Sequence, residues 1–224
     1  MTATIKKKIM REKIIVEFKI ENWEVYGLNK SIIASGNAMR TEIDDNTLTP
    51  SDRDLKRAVK LGRTHLGEGH DVMLTGIVVQ FDLYAPLYMW KQIQRYHWMD
   101  FISSQSTMHR LTKFKVKECC VEDTDEIILE RYQFLLDEYN TFDETYADVL
   151  SEKRIQALKK KKWRTLVASL PCGFVLGATM TTNYRQLKTI YHQRKNHKLK
   201  EWHEFCKWIE GLPMFKELCL GGEQ

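Results

Sequence analysis

The sequence predicts one α/β domain, and three observations predict it. Two β-branched runs, at 73–84 and 173–182, alternate with stretches whose apolar residues recur at helical spacing. No internal repeat, low-complexity tract or Pro/Ser-rich linker divides the chain. The 224 residues suffice for one substantial domain or two small ones, and 43% hydrophobic with 29% charged residues is globular composition, not that of a disordered or collagen-like chain. One α/β domain over 1–224 is the economical expectation.

Each element has a local reason. Residues 14–20 (IIVEFKI) alternate with β-branched side chains and read as a strand. After an irregular stretch, Thr49-Pro50-Ser51-Asp52 signals a helix start, with Leu55, Val59 and Leu61 supplying apolar positions up to Gly62. A glycine-bearing turn at 64–69 leads to the strand 73–84, ended by Ala85-Pro86. Pro86 is placed to open a helix through Trp98, because its missing N–H costs nothing in a first turn. Residues 126–139 and 144–170 carry helical spacing; the second stretch contains Lys159-Lys160-Lys161-Lys162 and stops at Pro171. The strand 173–182 is followed by helices at 183–194 and 199–209.

Charge and cysteine use narrow the class. With 35 basic and 30 acidic residues the net charge is +5, which suits a phosphorylated substrate and does not call for nucleic acid. No apolar run approaches the roughly 18 residues of a membrane span, and the Lys-rich start lacks a secretory apolar region. A soluble cytoplasmic protein with no membrane partner is expected. Cys119, Cys120, Cys172, Cys206 and Cys219 form neither a disulfide framework nor a zinc pattern, and are expected mostly as buried apolar side chains.

Several motifs are absent or incomplete. Gly67-x-Gly69 begins like a dinucleotide fingerprint, but Val72 stands at the third glycine and a strand follows where a helix should. There is no phosphate loop, and the seven histidines never take zinc-protease spacing. The four-lysine run reads as a solvated helix face, since aromatics do not interleave it. Leu170-Pro171-Cys172 has the look of a nucleophilic cysteine motif, yet no histidine follows directly, which favours a buried structural thiol.

Two stretches carry more chemistry. On the helix opened by Pro86, Gln92, Arg95 and Tyr96 fall at i, i+3 and i+4 and share a face. A hydroxyl-rich stretch, Ser103-Ser104-Gln105-Ser106-Thr107, then leads to His109-Arg110. Arginine forks and hydroxyls complement a phosphate monoester, and an amide both donates to and accepts from a uracil-like edge. The equally weighted alternative is an N-capping serine cluster with surface arginines. Later, Asn183, Leu187, Tyr191 and Arg194 follow helical spacing, with Arg185, Thr189 and His192 as a second stripe; taken alone, this pattern favours a basic amphipathic helix with its polar side in water.

The ordered series Gly69-His70, Ala85-Pro86, Gln92-x-x-Arg95, Arg95-Tyr96-His97, Ser104-Gln105-Ser106, Leu170-Pro171, Asn183-Tyr184-Arg185-Gln186-Leu187 and Arg194 resembles the flavin-dependent thymidylate synthases over about 33–202. The family signature R-H-R-x-x-S-x-N-x-x-S-x-R is degenerate here. Tyr96-His97 replaces His-Arg, Ser104 replaces the Glu of Glu-x-Ser, and Met108 or His109 stands at the signature arginine, whose charge Arg110 could carry. Gly76 stands for a histidine, Thr189 for an asparagine and Val167 for a phosphate-binding arginine, with Arg164 one turn earlier as a substitute.

The resemblance implies a single α+β domain with a central, mostly antiparallel sheet flanked by helices. It implies methylation of dUMP to dTMP with FAD as cofactor, NADPH as reductant and methylenetetrahydrofolate as carbon donor, in a homotetramer with shared active sites. By matching positions, His70, Arg95, Tyr96, His97, Asn183 and Arg185 would hold FAD. Gln92, Ser104, Gln105, Ser106, Arg110 and Arg194 would hold the nucleotide, with Arg194 also assigned the catalytic part. No metal is implied. The degenerate signature leaves two alternatives: a related flavoenzyme with altered one-carbon chemistry on a pyrimidine nucleotide, or a non-catalytic nucleotide- or nucleic-acid-binding protein on this scaffold.

Overall fold

A computed structural model describes residues 17–43 and 48–221, and their contacts divide the chain into two compact units. One, the sheet unit, comprises Phe18–Gln105 and the chain from Leu176 onward; the other, the hairpin unit, is built on Ser106–Val175.

The sheet unit holds a four-stranded sheet of β1 (Lys19–Tyr26), β2 (Val78–Pro86), β3 (Asp100–Ser104) and β4 (Val175–Asn183), in the order β1-β2-β4-β3. β1 pairs antiparallel with β2, and β3 with β4. Between the central pair, Thr179 Oγ1 bonds Asp82 and Tyr184 N–H bonds the Ile77 carbonyl, so β4 ascends as β2 descends. The sheet is antiparallel and flanked by helices, as the resemblance implied.

The alternation along β2 divides its two faces. Val79, Phe81, Leu83 and Ala85 are buried, while Gln80, Asp82 and Tyr84 lie on the opposite, partly exposed face. Helices α1 (Leu28–Ala34), α2 (Asp52–Gly62), α3 (Leu87–Ile93), α7 (Tyr184–Arg194), α8 (Lys200–Glu210) and α9 (Phe215–Cys219) complete the unit. On α8, Trp202, Phe205 and Ile209 repeat at three and four residues and are wholly buried, giving the core its aromatic centre. Phe81 stacks there against Trp208, with ring centroids 4.7 Å apart. α2 packs on α9 so closely that a Cβ at Gly62 would lie 2.2 Å from the Leu218 carbonyl oxygen, which makes glycine obligatory at that position.

α2 starts as its sequence predicts. The Ser51 hydroxyl accepts from Asp54 N–H, and Asp54 returns a bond to the Ser51 backbone, closing a capping box. Asp54 also pairs with Arg57. The Ser51 hydroxyl bond, then the Arg57 bond, then the Ser51 N–H hold its carboxyl well below the ordinary value of 3.8. The folded carboxyl is therefore harder to protonate than the unfolded one, so its stabilisation is complete above 3.8 and is lost as the pH falls towards the folded value. Asp54→Asn is expected to lower the urea midpoint at neutral pH and to flatten the acid limb of the stability curve. An unchanged acid limb in the variant would place that titration elsewhere.

Several boundaries differ from the sequence expectations. Of the strand expected at 14–20, residues 14–16 lie outside the described residues, and β1 begins only at Lys19. Val72–Gly76 forms a 3-10 turn, so β2 starts five residues later than the apolar run. α3 ends at Ile93 and not at Trp98, because Arg95 and Tyr96 N–H bond back to Gln92 and Ile93 in tight closing turns. β3, α1 and α9 were not anticipated. All five residues of β3 are exposed, so it carries no alternation to detect and is a strand only through its ladder to β4.

In the hairpin unit, α4 (Thr107–Arg110) is a single turn, followed by α5 (Glu126–Tyr146) and α6 (Glu152–Ala168). The Tyr132 hydroxyl donates to the Leu166 carbonyl at 3.0 Å, tying the two long helices together. The four-lysine run is not uniformly solvated: Lys159 pairs with Asp143 and Lys162 with Glu138 on α5, while Lys160 and Lys161 face solvent. Cys120 is buried and burial pushes its thiol up to about 12, the behaviour of an apolar filler. Cys172 is exposed, correcting the expectation of a buried thiol.

Candidate functional site

The site in the sheet unit is organised by α7 and the turn after α3. Asn183, the last residue of β4, caps α7 by accepting from Gln186 N–H at 2.9 Å. That cap fixes the helix so that Arg194, at its far end, meets the α3 turn. Arg194 Nε donates to the Tyr96 hydroxyl at 2.6 Å, and Nη1 donates to Gln92 Oε1 at 3.1 Å. Trp202 Nε1 donates to the same Gln92 oxygen at 3.0 Å, and the guanidinium carbon lies 4.7 Å from the Trp202 ring centroid. Tyr96 in turn donates to Gln193 Oε1 at 3.1 Å.

The fold thus brings Gln92, Tyr96 and Arg194 into direct contact across about a hundred residues of sequence. Gln92 Oε1 already accepts two bonds, so only its NH₂ group is left to meet a ligand. His197 beside this cluster accepts from Leu199 N–H at 3.1 Å, and burial, followed by the Arg194 charge, holds its pKa below the ordinary value. The fixed positive charge at the site is then the arginine's.

Beside Tyr96 and Gln193 opens a cavity of about 800 Å³, edged by Leu66, Gly67, Asp71, Trp98, Asn183, Arg185, Gln186, Thr189 and Gln193 among others. Gly67 sits at φ 100°, a conformation that a side chain resists, so the turn 64–69 can wall this cavity. Arg185 Nε donates to Asp71 Oδ1 at 2.9 Å. Asp71 is 1% exposed, and Lys188, 2% exposed, donates to its other oxygen at 3.0 Å and to the Gly62 and Thr64 carbonyls. A buried cation therefore pins a buried anion, which in turn holds Arg185 at the cavity. Arg185 keeps both terminal nitrogens outside that bond.

A second, smaller pocket of about 320 Å³ lies on the open face of the sheet, lined by Asp82, Tyr84, Ser103, Ser104, Gln105, Gly177, Ala178 and Thr179. Gln105 brackets Gly177, its N–H donating to the Gly177 carbonyl and its Oε1 accepting from Gly177 N–H at 2.8 Å. Bonds from Asn22 and then Thr179 hold the Asp82 carboxyl below its ordinary range, so this pocket carries a negative charge.

The remaining sequence candidates fall elsewhere. Arg95 and His97 are exposed on the turn, so Arg95 does not share a face with Gln92 and Tyr96 as a longer helix would require. His70 is exposed beside the buried Asp71. Ser104 and Gln105 belong to the second pocket. Ser106 caps α4 by accepting from His109 N–H, as the capping alternative foresaw, and Arg110 ends that turn in the hairpin unit. Asp71, Trp98, Lys188, Gln193 and Trp202 were missed; each is an isolated residue without a motif, and only the fold assembles them. Among the described residues there is no cluster able to hold a metal, and no helix long and apolar enough to cross a membrane.

Neither a protein-family model nor a curated protein matches the sequence. Solved structures do match in fold. The flavin-dependent thymidylate synthase ThyX from Helicobacter pylori, complexed with FAD and dUMP, has a TM-score of 0.62 at 17% identity, covering 92% of this chain and 100% of that one. A second structure of thymidylate synthase X from Helicobacter pylori with FAD and dUMP has a TM-score of 0.61 at 16% identity over the same shares. Over 92% of its length, this chain has the fold of flavin-dependent thymidylate synthase ThyX.

Proposed function

We propose that this chain is an FAD-dependent enzyme that methylates dUMP to dTMP, with methylenetetrahydrofolate as carbon donor and NADPH as reductant. The observation that carries this reading is the Gln92–Tyr96–Arg194 cluster standing beside a cavity edged by Asn183 and Arg185. The cavity volume of about 800 Å³ lies within the range of small-molecule sites, roughly 300–1,000 Å³. Its lining supplies donors suited to a phosphorylated, acceptor-rich cofactor: the outer nitrogens of Arg185 and the amides of Asn183, Gln186 and Gln193. In these terms the residues present fit FAD.

Arg185, Asn183 and Tyr96 would hold the cofactor, and Gln92 and Arg194 the nucleotide. The pair of Asp71 and Lys188 orients Arg185 and prevents it from swinging to solvent. Arg194, held by Tyr96 and Gln92 while its remaining nitrogen stays outside those bonds, places a fixed cation where an anionic substrate would develop or keep charge. Bound and reduced, the flavin supplies the hydride that completes the methyl group. Ser104, Gln105, Ser106, Arg110, His70, Arg95 and His97 enter the reading as sites completed in a cytoplasmic homotetramer.

The test is direct. The purified protein is expected to show flavin absorbance, as isolated or after adding FAD, and to form dTMP, identified by mass, from dUMP, methylenetetrahydrofolate and NADPH. A flavin spectrum with a product of another mass would point to altered one-carbon chemistry, which the degenerate signature motivates. A colourless protein that takes up no FAD would overturn the reading.

A further inference from the structure

Trp98 is 69% exposed, whereas Trp202 and Trp90 of the same unit are 0% and 6% exposed. Its backbone sits at φ 58°, in the left-handed region that bulky side chains avoid. This conformation is imposed from both sides. Tyr96 is fixed by Arg194 and Gln193, while Met99 is buried and Asp100 opens the ladder of β3 with Thr181. The chain therefore carries a strained residue whose large apolar ring gains little from the protein itself. Such strain persists where surrounding structure over-determines it, and it gathers at functional sites.

Trp98 lines the 800 Å³ cavity, where the other large apolar residue of the lining, Leu66, is also exposed, at 44%. The rest of the lining is polar, with Arg185, Asn183, Gln186 and Gln193. One exposed aromatic plane among convergent donors suits a flat heteroaromatic ring with a polar edge and a phosphorylated tail. We propose that Trp98 is a stacking platform for the planar ring of a phosphorylated cofactor bound in this cavity. The inference rests on the flavoenzyme reading and adds a binding residue to it. Two rings of FAD share this chemistry, the isoalloxazine and the adenine.

The experiment uses the full chain with Trp98→Phe, Trp98→Ala and Trp98→Gly, titrated with FAD, FMN and ADP. Calorimetry reads affinity and tryptophan fluorescence reads stacking. FAD is expected to quench wild-type fluorescence. Trp98→Phe should keep most of the affinity, and Trp98→Ala and Trp98→Gly should lose roughly tenfold or more, the scale of one ring stacked on an aromatic. Trp98→Gly relieves the left-handed strain, so its thermal midpoint without ligand should hold or rise while binding falls, a combination that a merely structural tryptophan would not give. Loss confined to FMN and FAD assigns the isoalloxazine; loss confined to ADP and FAD assigns the adenine. FAD binding that is equally tight in wild type and Trp98→Gly would overturn the platform and leave the flavoenzyme reading standing. A wild type that binds none of the three probes would overturn both.

Discussion

Lys188→Met is expected to lower unfolding stability by about 3–5 kcal/mol, the usual cost of stranding one member of a buried ion pair. Lys188 is 2% exposed and donates to Asp71 at 3.0 Å, to the Gly62 carbonyl at 2.8 Å and to the Thr64 carbonyl at 2.6 Å. Methionine fills the space but leaves the Asp71 carboxylate with Arg185 alone and removes the donor from the end of α2 and the turn after it. Urea denaturation measures the loss directly. Lys198→Met, at an exposed loop position, is the control and should stay within about 0.5 kcal/mol of wild type. The double variant Lys188→Met with Asp71→Asn should recover part of the loss, because both buried charges then leave together. A Lys188→Met variant as stable as the control would mean that water or rearrangement already satisfies Asp71.

Arg194→Ala is expected to weaken dUMP binding at least tenfold, since losing one contact of a desolvated charge pair typically costs ~2–5 kcal/mol. The fold should survive this change. Gln92 Oε1 keeps its bond from Trp202 Nε1, and Tyr96 keeps its bond to Gln193. The stability loss should therefore stay near the cation–π contribution with Trp202, about 0.5–2 kcal/mol. Arg194→Lys should recover little affinity, because an ammonium cannot hold Tyr96 and Gln92 in the planar fork and still meet an anion. Calorimetry with dUMP checks both variants, and an unchanged affinity in Arg194→Ala would remove Arg194 from the nucleotide site.

Much of the candidate site was legible because it is carried by local spacing. Gln92 and Tyr96 lie four residues apart, and Asn183 and Arg194 bound one helix, so two segments sufficed to nominate residues that the fold then brings into contact. Arg95 failed by the same logic: the i, i+3 face assumed a helix through Trp98, but tight closing turns end α3 at Ile93 and leave Arg95 exposed. The break between α5 and α6 was expected at 140–143 but lies at 147–151, where the sequence holds neither proline nor glycine to mark its place.

What the sequence by itself determined was the set of elements whose own residues enforce them. These are the alternation of β2, the capping box of α2, the opening of α3 at Pro86 and the asparagine cap of α7. Each depends on interactions within a few residues. Only the tertiary structure decided that β3 is a strand, that Lys188 is buried against Asp71, and that Trp98 is held open and strained beside a cavity. Those features arise from partners tens of residues away, on a ladder or in a core, and the periodicity and spacing of a single segment carry no record of them.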